Sequence, residues 1–191
     1  MDASNGYEAR AKAYGAARSS IGRAELLAWA GEYLAPGARI LDAGCGDGWP
    51  LAEALVEVGF DVVGLDASPA MLRRYRARLP GSYTILARAE DATLEPGSFD
   101  AAIAIGLVFQ LDAEGQEKLI QQLAGCVRPG GHILFTAPWQ MHEWVDTFTS
   151  QRVRSLGLEA YKAMISGAGL ELISRFDDSG GNHYVHARKP L

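Results

Sequence analysis

The sequence predicts an α/β fold, with helices packed on both faces of a mostly parallel sheet. Residues 39–58 show the repeating unit, in which a short apolar strand, a glycine-rich turn and a helical pattern follow one another. Strand and helix patterns then alternate along most of the chain, as they do in proteins with parallel sheets. Near the C-terminus two strand-like runs flank Asp177-Asp178-Ser179-Gly180-Gly181, which predicts an antiparallel hairpin.

In the N-terminal half, alanines mixed with charged residues predict a first helix at 7–18. Ser19 or Ser20 can cap a second helix that ends at Leu34, before a Pro-Gly break. Strands are expected at 39–41 and 60–65, with a helix at 50–58 between them. Ser68 is expected to cap the next helix with Pro69 at its first position, and a third strand follows at 83–87.

In the C-terminal half, a Pro-Gly turn leads into a fourth strand at 101–105. Asp112 is expected to cap a helix at 113–127, which carries an apolar stripe, and a fifth strand is expected at 132–137. Residues 138–156 have no clear period and are interpreted as an insert. A helix at 158–168 and strands at 170–176 and 183–187 complete the chain.

Composition limits the classes of protein and partner. The 191 residues, 48% of them hydrophobic, are enough for one domain with a full core. The net charge of −5 makes nucleic acid an unexpected partner, and no apolar run is long enough to span a membrane. The first thirty residues lack a signal-peptide profile, and the two distant cysteines, Cys45 and Cys126, suit a reducing compartment and no metal site. We therefore expect a cytoplasmic protein, as a monomer or homodimer.

The glycine turn after the first strand distinguishes two kinds of nucleotide site. A dinucleotide site requires G-x-G-x-x-G, but Trp49 stands where the third glycine of that motif belongs. The spacing here is D-x-G-x-G-x-G, with Asp42 followed by Gly44, Gly46 and Gly48. Glycines tolerate positive φ and let the backbone approach a ligand, and the following helix offers free N–H groups.

This motif resembles the first motif of the class I methyltransferases that use S-adenosylmethionine (SAM). Three later segments are similar to the same family, so that the resemblance covers residues 38 to 137 in one order. They are Ala67-Ser68-Pro69-Ala70-Met71-Leu72, Pro96-Gly97-Ser98-Phe99-Asp100 and Arg128-Pro129-Gly130-Gly131. The resemblance implies a Rossmann-like, doubly wound, seven-stranded sheet that is mostly parallel, with an antiparallel strand in its C-terminal hairpin. It also implies SAM as cofactor and S-adenosylhomocysteine (SAH) as product.

Candidate cofactor residues follow from this resemblance. Asp66 ends the second strand, 24 positions after Asp42, where a carboxylate can accept both ribose hydroxyls. After the third strand, Arg88 occupies the place where the family commonly has Asp, so the adenine contact is expected to pass to Glu90 or Asp91. The full set is Asp42, Ala43, Gly44, Cys45, Gly46, Asp66, Ala67, Met71, Ala89, Glu90, Asp91 and Ile105.

Candidate acceptor residues come from several separate parts of the chain. The resemblance implies that residues 1–36 form a helical lid with a tyrosine facing the substrate, although the tyrosines can instead pack on the sheet. After the fourth strand, Phe109 and Gln110 are placed to wall the acceptor pocket, unless Phe109 is core. The insert 138–156 offers aromatic rings, an imidazole and guanidinium groups. The predicted acceptor-binding residues are Tyr7, Phe109, Trp139, Trp144 and Arg152, and the candidate bases are His142, His183 and Tyr14.

Three functions are compatible with this pattern. The first is methyl transfer from SAM to a nitrogen, oxygen or carbon of a small acidic or aromatic molecule. The fourth strand is not followed by the N/D-P-P-Y/F segment that is typical of base-amine or glutamine methylation. The second is a SAM- or SAH-binding module without turnover, or a subunit of a larger complex, which the separate insert disfavours. The third, a nicotinamide-dependent oxidoreductase, conflicts with the glycine spacing.

Overall fold

The computed structural model describes residues 4–17 and 19–191, without the side chains of residues 14–17. Its strands are β1 (Arg39–Ala43), β2 (Asp61–Asp66), β3 (Thr84–Leu86), β4 (Phe99–Ala104), β5 (Val127–Thr136), β6 (Met141–Val145), β7 (Arg152–Leu156), β8 (Glu171–Asp177) and β9 (His183–Arg188). Its helices are α1 (Tyr7–Ala17), α2 (Arg23–Tyr33), α3 (Leu51–Glu57), α4 (Pro69–Arg78), α5 (Ala113–Cys126) and α6 (Leu158–Gly167), with short 3₁₀ turns at Ala89–Asp91 and Val108–Gln110.

Seven strands form one sheet in the order β3-β2-β1-β4-β5-β9-β8. The pairs among β1 to β5 are all parallel, whereas β9 is antiparallel to both of its neighbours. The order runs outward from β1 in both directions, so the carboxyl ends of β1 and β4 lie side by side at the switch point. The predicted fold class is therefore confirmed.

Each face of the sheet has its own apolar core, because successive side chains of a strand point to opposite faces. On one face Leu41 belongs to a buried cluster that includes Leu123 of α5. On the other face Ile40 packs in a cluster with Leu55 of α3 and Tyr75 of α4. The central strands are buried on both faces, as the unbroken apolar runs predicted.

Two of the three predicted helix caps are confirmed. Ser68 Oγ accepts a hydrogen bond from the N–H of Met71 at 3.1 Å, and Asp112 Oδ1 accepts one from the N–H of Gly115 at 2.8 Å. The prediction of a cap at Ser19 or Ser20 is wrong. Helix α2 begins at Arg23, and its capping position is Gly22, with φ of 83°. A residue without a side-chain acceptor holds this position because the backbone takes the left-handed conformation there.

The insert 138–156 is a hairpin of β6 and β7, which form a separate two-stranded antiparallel sheet. Helix α5 holds the hairpin, since Gln116 Nε2 donates to the carbonyl of Arg154 at 2.9 Å. Helix α6 holds it as well: the N–H of Leu156 donates to the Tyr161 hydroxyl at 3.1 Å, and that hydroxyl lies 2.9 Å from Gln116 Oε1. The hairpin is thereby fixed over the turn that follows β4.

Candidate functional site

A pocket opens at the carboxyl ends of β1, β2 and β4, under the N-terminal segment. Its empty volume, including space open to solvent, is about 670 Å³. The predicted residues that line it are Tyr7, Gly44, Gly46, Asp66, Ala67, Met71, Ala89, Glu90 and Ile105. Most of the cofactor-binding residues predicted from the sequence therefore lie at one pocket.

The glycine turn contributes shape to this pocket. Gly44 has φ of 74°, and a Cβ atom built on it would lie 3.1 Å from the side chain of Leu107. The N–H groups of Gly44 and Cys45 both donate to the carbonyl of Leu65, at 2.7 and 3.1 Å. The N–H of Gly46 donates to Asp66 Oδ2 at 2.9 Å. These three donors are used within the protein, so this part of the turn supplies the predicted close backbone approach and no free N–H group.

Asp66 lies at the centre of the polar wall. Its Oδ1 accepts from the N–H of Ser68 at 2.8 Å and its Oδ2 from that of Gly46 at 2.9 Å. Burial raises the pKa of this carboxyl, and the backbone N–H bonds oppose that shift. Each oxygen still has a lone pair for another donor, as binding of two ribose hydroxyls requires.

The acidic character of the site distinguishes between cofactors. Asp42 is 4% exposed and Asp47 is fully buried beneath the same turn, and Glu90 is 6% exposed. Of the acids around the turn, Asp66 and Glu90 line the pocket itself, where a dinucleotide diphosphate would meet them, and the N–H groups of Gly44, Cys45 and Gly46 are already bonded within the protein. SAM carries a sulfonium and an ammonium group, and both are favoured by neighbouring carboxylates.

Two arginines of α4 hold the glycine turn from below, a role that the sequence did not indicate. Arg74 and Arg78 place guanidinium nitrogens 3.5 and 3.6 Å from Asp47 Oδ2. Arg78 Nε also donates to the carbonyl of Asp47 at 3.2 Å. A run of arginines such as that at 73–78 is typical of a solvated helix face, but a spacing of four residues puts Arg74 and Arg78 on one side of α4.

At the adenine end, the structure separates the two predicted acids. Glu90 lines the pocket, and Arg88 pairs with its Oε1 and lines the pocket beside it. Asp91 points outward, with 59% of its side chain exposed, and it lies 3.2 Å from Arg88 Nε. The ion pair with Glu90 is the main reason that the pKa of Arg88 is raised. Arg88 thus brings a cation to a position where the family commonly has an acid.

The N-terminal segment covers the pocket through polar contacts. Asn5 Nδ2 donates to the carbonyl of Gln110 at 3.0 Å, and Gln110 Nε2 donates to the Tyr7 hydroxyl at 3.1 Å. At the next residue, Glu8 Oε2 accepts from the N–H of Ala70 at 2.9 Å and from the hydroxyl of Ser68. Helix α1 is therefore bound on one side to the turn after β4 and on the other to the start of α4.

The remaining predicted acceptor residues form aromatic stacks outside the pocket lining. Phe109 packs on Trp144 with ring centroids 5.4 Å apart, and His142 stacks on the same indole at 5.5 Å. Trp139 stacks on His183 at 4.4 Å, and His183 Nδ1 lies 2.7 Å from Asp177 Oδ1. These rings attach the hairpin and the end of β5 to their neighbours.

Five other predicted residues lie away from the pocket lining or have side chains that the structure does not describe. Arg152 is exposed on β7. Asp42, Ala43 and Cys45 are buried at the end of β1 and behind the turn, so their side chains support the pocket from outside its lining. The side chain of Tyr14 lies outside the described residues.

Within residues 4–17 and 19–191, no cluster of three or more His, Cys, Asp or Glu side chains is arranged to hold a metal ion. The helices of the same ranges include none with the length and apolar character needed to cross a bilayer.

Comparison with known proteins supports one family. A family model described as a methyltransferase domain matches residues 40–131, which contain the glycine turn, Asp66 and the residues that follow β4. This match and the methyltransferase-named relatives support the class I SAM-dependent methyltransferase family that the sequence resembles. The matched residues include most of those that line the pocket.

Two curated relatives illustrate the range of the methyltransferase domain. An uncharacterised methyltransferase of Mycobacterium bovis is 38% identical over 104 residues, which are 53% of this chain and 41% of the relative. The ubiquinone biosynthesis O-methyltransferase of Xanthomonas campestris is 28% identical over 160 residues, 81% of this chain and 58% of that protein. The chain thus spans about half the length of the curated relatives it matches.

Solved structures agree in fold. A methyltransferase chain from a complex with the Trm112 methyltransferase activator of Haloferax volcanii superposes with a TM-score of 0.82, covering 99% of this chain and 98% of its own, at 16% identity. The SAM-bound amino pentose methyltransferase CalS10 from Micromonospora echinaspora gives 0.75, covering 95% and 96%, at 20% identity.

Proposed function

We propose that this protein transfers a methyl group from SAM to a small-molecule acceptor. The observation that carries the proposal is the pocket in which the glycine turn approaches Asp66, at the edge of the sheet where its strand order reverses. When bound, SAM supplies a methyl group that is activated by a positively charged sulfur. The chain's own task is to bind the two molecules in line and to exclude water.

Each wall of the pocket has a role in this proposal. Asp66 holds the ribose hydroxyls, and Glu90 receives the adenine amino group while Arg88 fixes its position. Gly44 and Gly46 leave space for the methionine part of the cofactor. Asp42, buried behind the turn, favours the positive charge of that part.

The acceptor enters from the side of β4. A cofactor lying across the ends of β3, β2 and β1 leaves the turn after β4 as the free end of the pocket. There Ile105, Leu107 and Leu111 give an apolar wall, and Tyr7 closes it from above. The named activities of an O-methyltransferase relative and an amino pentose methyltransferase neighbour support a small acceptor with a hydroxyl or amino group.

The predicted general bases His183 and His142 have different surroundings. His183 has a carboxylate partner in Asp177 that orients its ring, as a general base requires. His142 is exposed on the hairpin. Both stand outside the pocket lining, so either would act only on an acceptor that reaches beneath the hairpin. In-line transfer needs no side-chain base when the acceptor is a neutral amine, because its lone pair attacks before the proton leaves.

Calorimetric titration tests the proposal. The wild-type protein is expected to bind SAM and SAH and to give no signal with NAD. Asp66→Ala should weaken SAM binding at least tenfold, because the ribose hydroxyls lose a charged partner. Asp61→Ala is the matched control, since Asp61 is an exposed aspartate at the opposite end of the same strand.

The outcomes separate the alternatives. Binding of SAM with no SAH released in the presence of any member of a metabolite panel would favour the non-catalytic binding module. Equal affinities of Asp66→Ala and Asp61→Ala would contradict the placement of the nucleoside. Binding of NAD in preference to SAM would contradict the proposal as a whole.

A further inference from the structure

Gln110 lines the pocket, and its carboxamide has one unsatisfied atom. Gln110 Oε1 is buried and has no hydrogen-bond partner among the described residues. The other polar groups of this residue are engaged: Nε2 donates to the Tyr7 hydroxyl at 3.1 Å, and the main-chain carbonyl accepts from Asn5 at 3.0 Å. The contact with Tyr7 holds the carboxamide in place, and the contact with Asn5 holds the backbone. A buried carbonyl oxygen without a donor is costly, so it calls for a partner that a ligand would supply.

The position of Gln110 identifies that ligand. Gln110 lies in the 3₁₀ turn directly after β4, at the end of the pocket away from Asp66 of β2 and the adenine wall after β3. The cofactor takes the other end under the proposed function, on which this inference rests. The group that meets Gln110 Oε1 is therefore on the acceptor.

We propose that Gln110 Oε1 accepts a hydrogen bond from the very O–H or N–H that is to be methylated. A group whose hydrogen points at Gln110 turns its lone pair in another direction, toward the cofactor. The acceptor atom forms a bond to the methyl carbon while the methyl–sulfur bond breaks and its electron pair goes to sulfur. The methylated acceptor keeps its proton until the site opens and then loses it to solvent, since a neutral amide cannot take it.

The surroundings of Gln110 define the class of acceptor. Ser4, Asn5 and Tyr7 are the polar residues of the N-terminal segment at this end, and all are neutral. Leu107 and Leu111 are the apolar residues beside them. Charged side chains of the pocket, such as Asp66 and Glu90, lie toward the cofactor end. The site therefore fits an uncharged hydroxyl or amino compound with a compact apolar frame.

Gln116, close to Gln110 in sequence, is a glutamine whose polar side-chain atoms are all bonded within the protein. Its Nε2 donates to the carbonyls of Leu111 and Arg154, both at 2.9 Å, and its Oε1 lies 2.9 Å from the Tyr161 hydroxyl. Both polar atoms of Gln116 are satisfied by the protein, whereas those of Gln110 are half satisfied. The contrast within one short segment supports a ligand role for Gln110.

The test uses phenol, aniline and toluene as probes, which share one ring and differ in their donor. Each is titrated into SAH-saturated protein and followed by ligand-detected NMR. Phenol and aniline are expected to bind about tenfold more tightly than toluene to the wild type. Gln110→Leu should remove this preference, and Gln110→Glu, which keeps an acceptor oxygen, should restore it. Gln121→Leu, an exposed glutamine on α5, is the control that leaves the preference intact.

Two results would overturn the inference while the proposed function stands. One is equal binding of the three probes to wild-type protein that binds SAH. The other is an unchanged preference in Gln110→Leu that still binds SAH within about threefold of wild type, which also shows that this variant is folded. Failure of the wild type to bind SAH is a distinct result that removes the proposed function and this inference together.

Discussion

Replacing Glu8 with alanine should loosen helix α1 from the rest of the domain. Glu8 Oε2 accepts two hydrogen bonds at the start of α4, from the N–H of Ala70 at 2.9 Å and from the Ser68 hydroxyl. Its negative charge is also favoured by the N-terminal end of that helix. The apolar contribution of α1 is small, because Ala11 is the only buried hydrophobic residue among its described side chains. Polar contacts therefore carry much of its attachment.

The structure sets the size of the effect. Hydrogen bonds to a charged group contribute about 1.5–3 kcal/mol when buried. The Glu8 side chain is 39% exposed, so solvent screening reduces the loss to about 1–2 kcal/mol in total. A loss of that size increases the opening equilibrium of α1 about 5- to 30-fold.

Amide hydrogen exchange measures this opening directly. The amides of 8–17 should exchange about 5- to 30-fold faster in Glu8→Ala, while those of β1 and β4 keep their protection. Glu114→Ala removes an exposed glutamate paired with Lys118 and should leave the exchange of α1 unchanged. Unchanged exchange of α1 in Glu8→Ala would refute the reasoning. An equal increase in all elements would refute it too, since it would mean global destabilisation.

Three further predictions concern the core and the turn. Burial lowers the pKa of His186 to about 4, and the charges of His132 and Arg188 add to the shift, so the fold favours the neutral ring and gains its full stabilisation above pH ~6.5. The free energy of unfolding, measured by urea titration, should fall by about 3 kcal/mol between pH ~6.5 and ~4, and His186→Phe should reduce this fall. Gly44→Ala should weaken SAH binding at least tenfold by calorimetry, because φ of 74° and the Leu107 side chain at 3.1 Å both oppose a Cβ atom. Tyr161→Phe should lower the free energy of unfolding by about 1–3 kcal/mol in urea titration, because the N–H of Leu156 loses its acceptor.

The regular part of the fold could be predicted because its signals are local. Ser68 and Asp112 mark helix starts by side chains that reach their own backbone, and the apolar runs of buried parallel strands are continuous. The hairpin of β6 and β7 was missed because residues 138–156 show no clear period and part of the support for the hairpin is distant in sequence. Gln116 holds Arg154 from 38 residues away, whereas Tyr161 holds Leu156 from the helix that follows.

The candidate site was predictable where a motif fixes backbone shape. Gly44 and Asp66 follow strand ends, and their proximity follows from parallel pairing of β1 and β2. The ion pairs of Arg74 and Arg78 with Asp47 were not predictable, because the sequence pattern of a charged helix face is the same whether it faces solvent or a buried acid. The hydrogen bonds of two turn N–H groups were not predictable either, because their acceptor, the carbonyl of Leu65, lies on another strand.

The contacts of α1 have a kinetic consequence. One short helix and the residues before it touch the start of α4 through Glu8 and the turn after β4 through Tyr7 and Asn5. Under the proposed function, both cofactor and acceptor lie beneath this one segment when they are bound. Release of SAH would then require α1 to open, and the opening rate of α1 would set an upper limit on kcat.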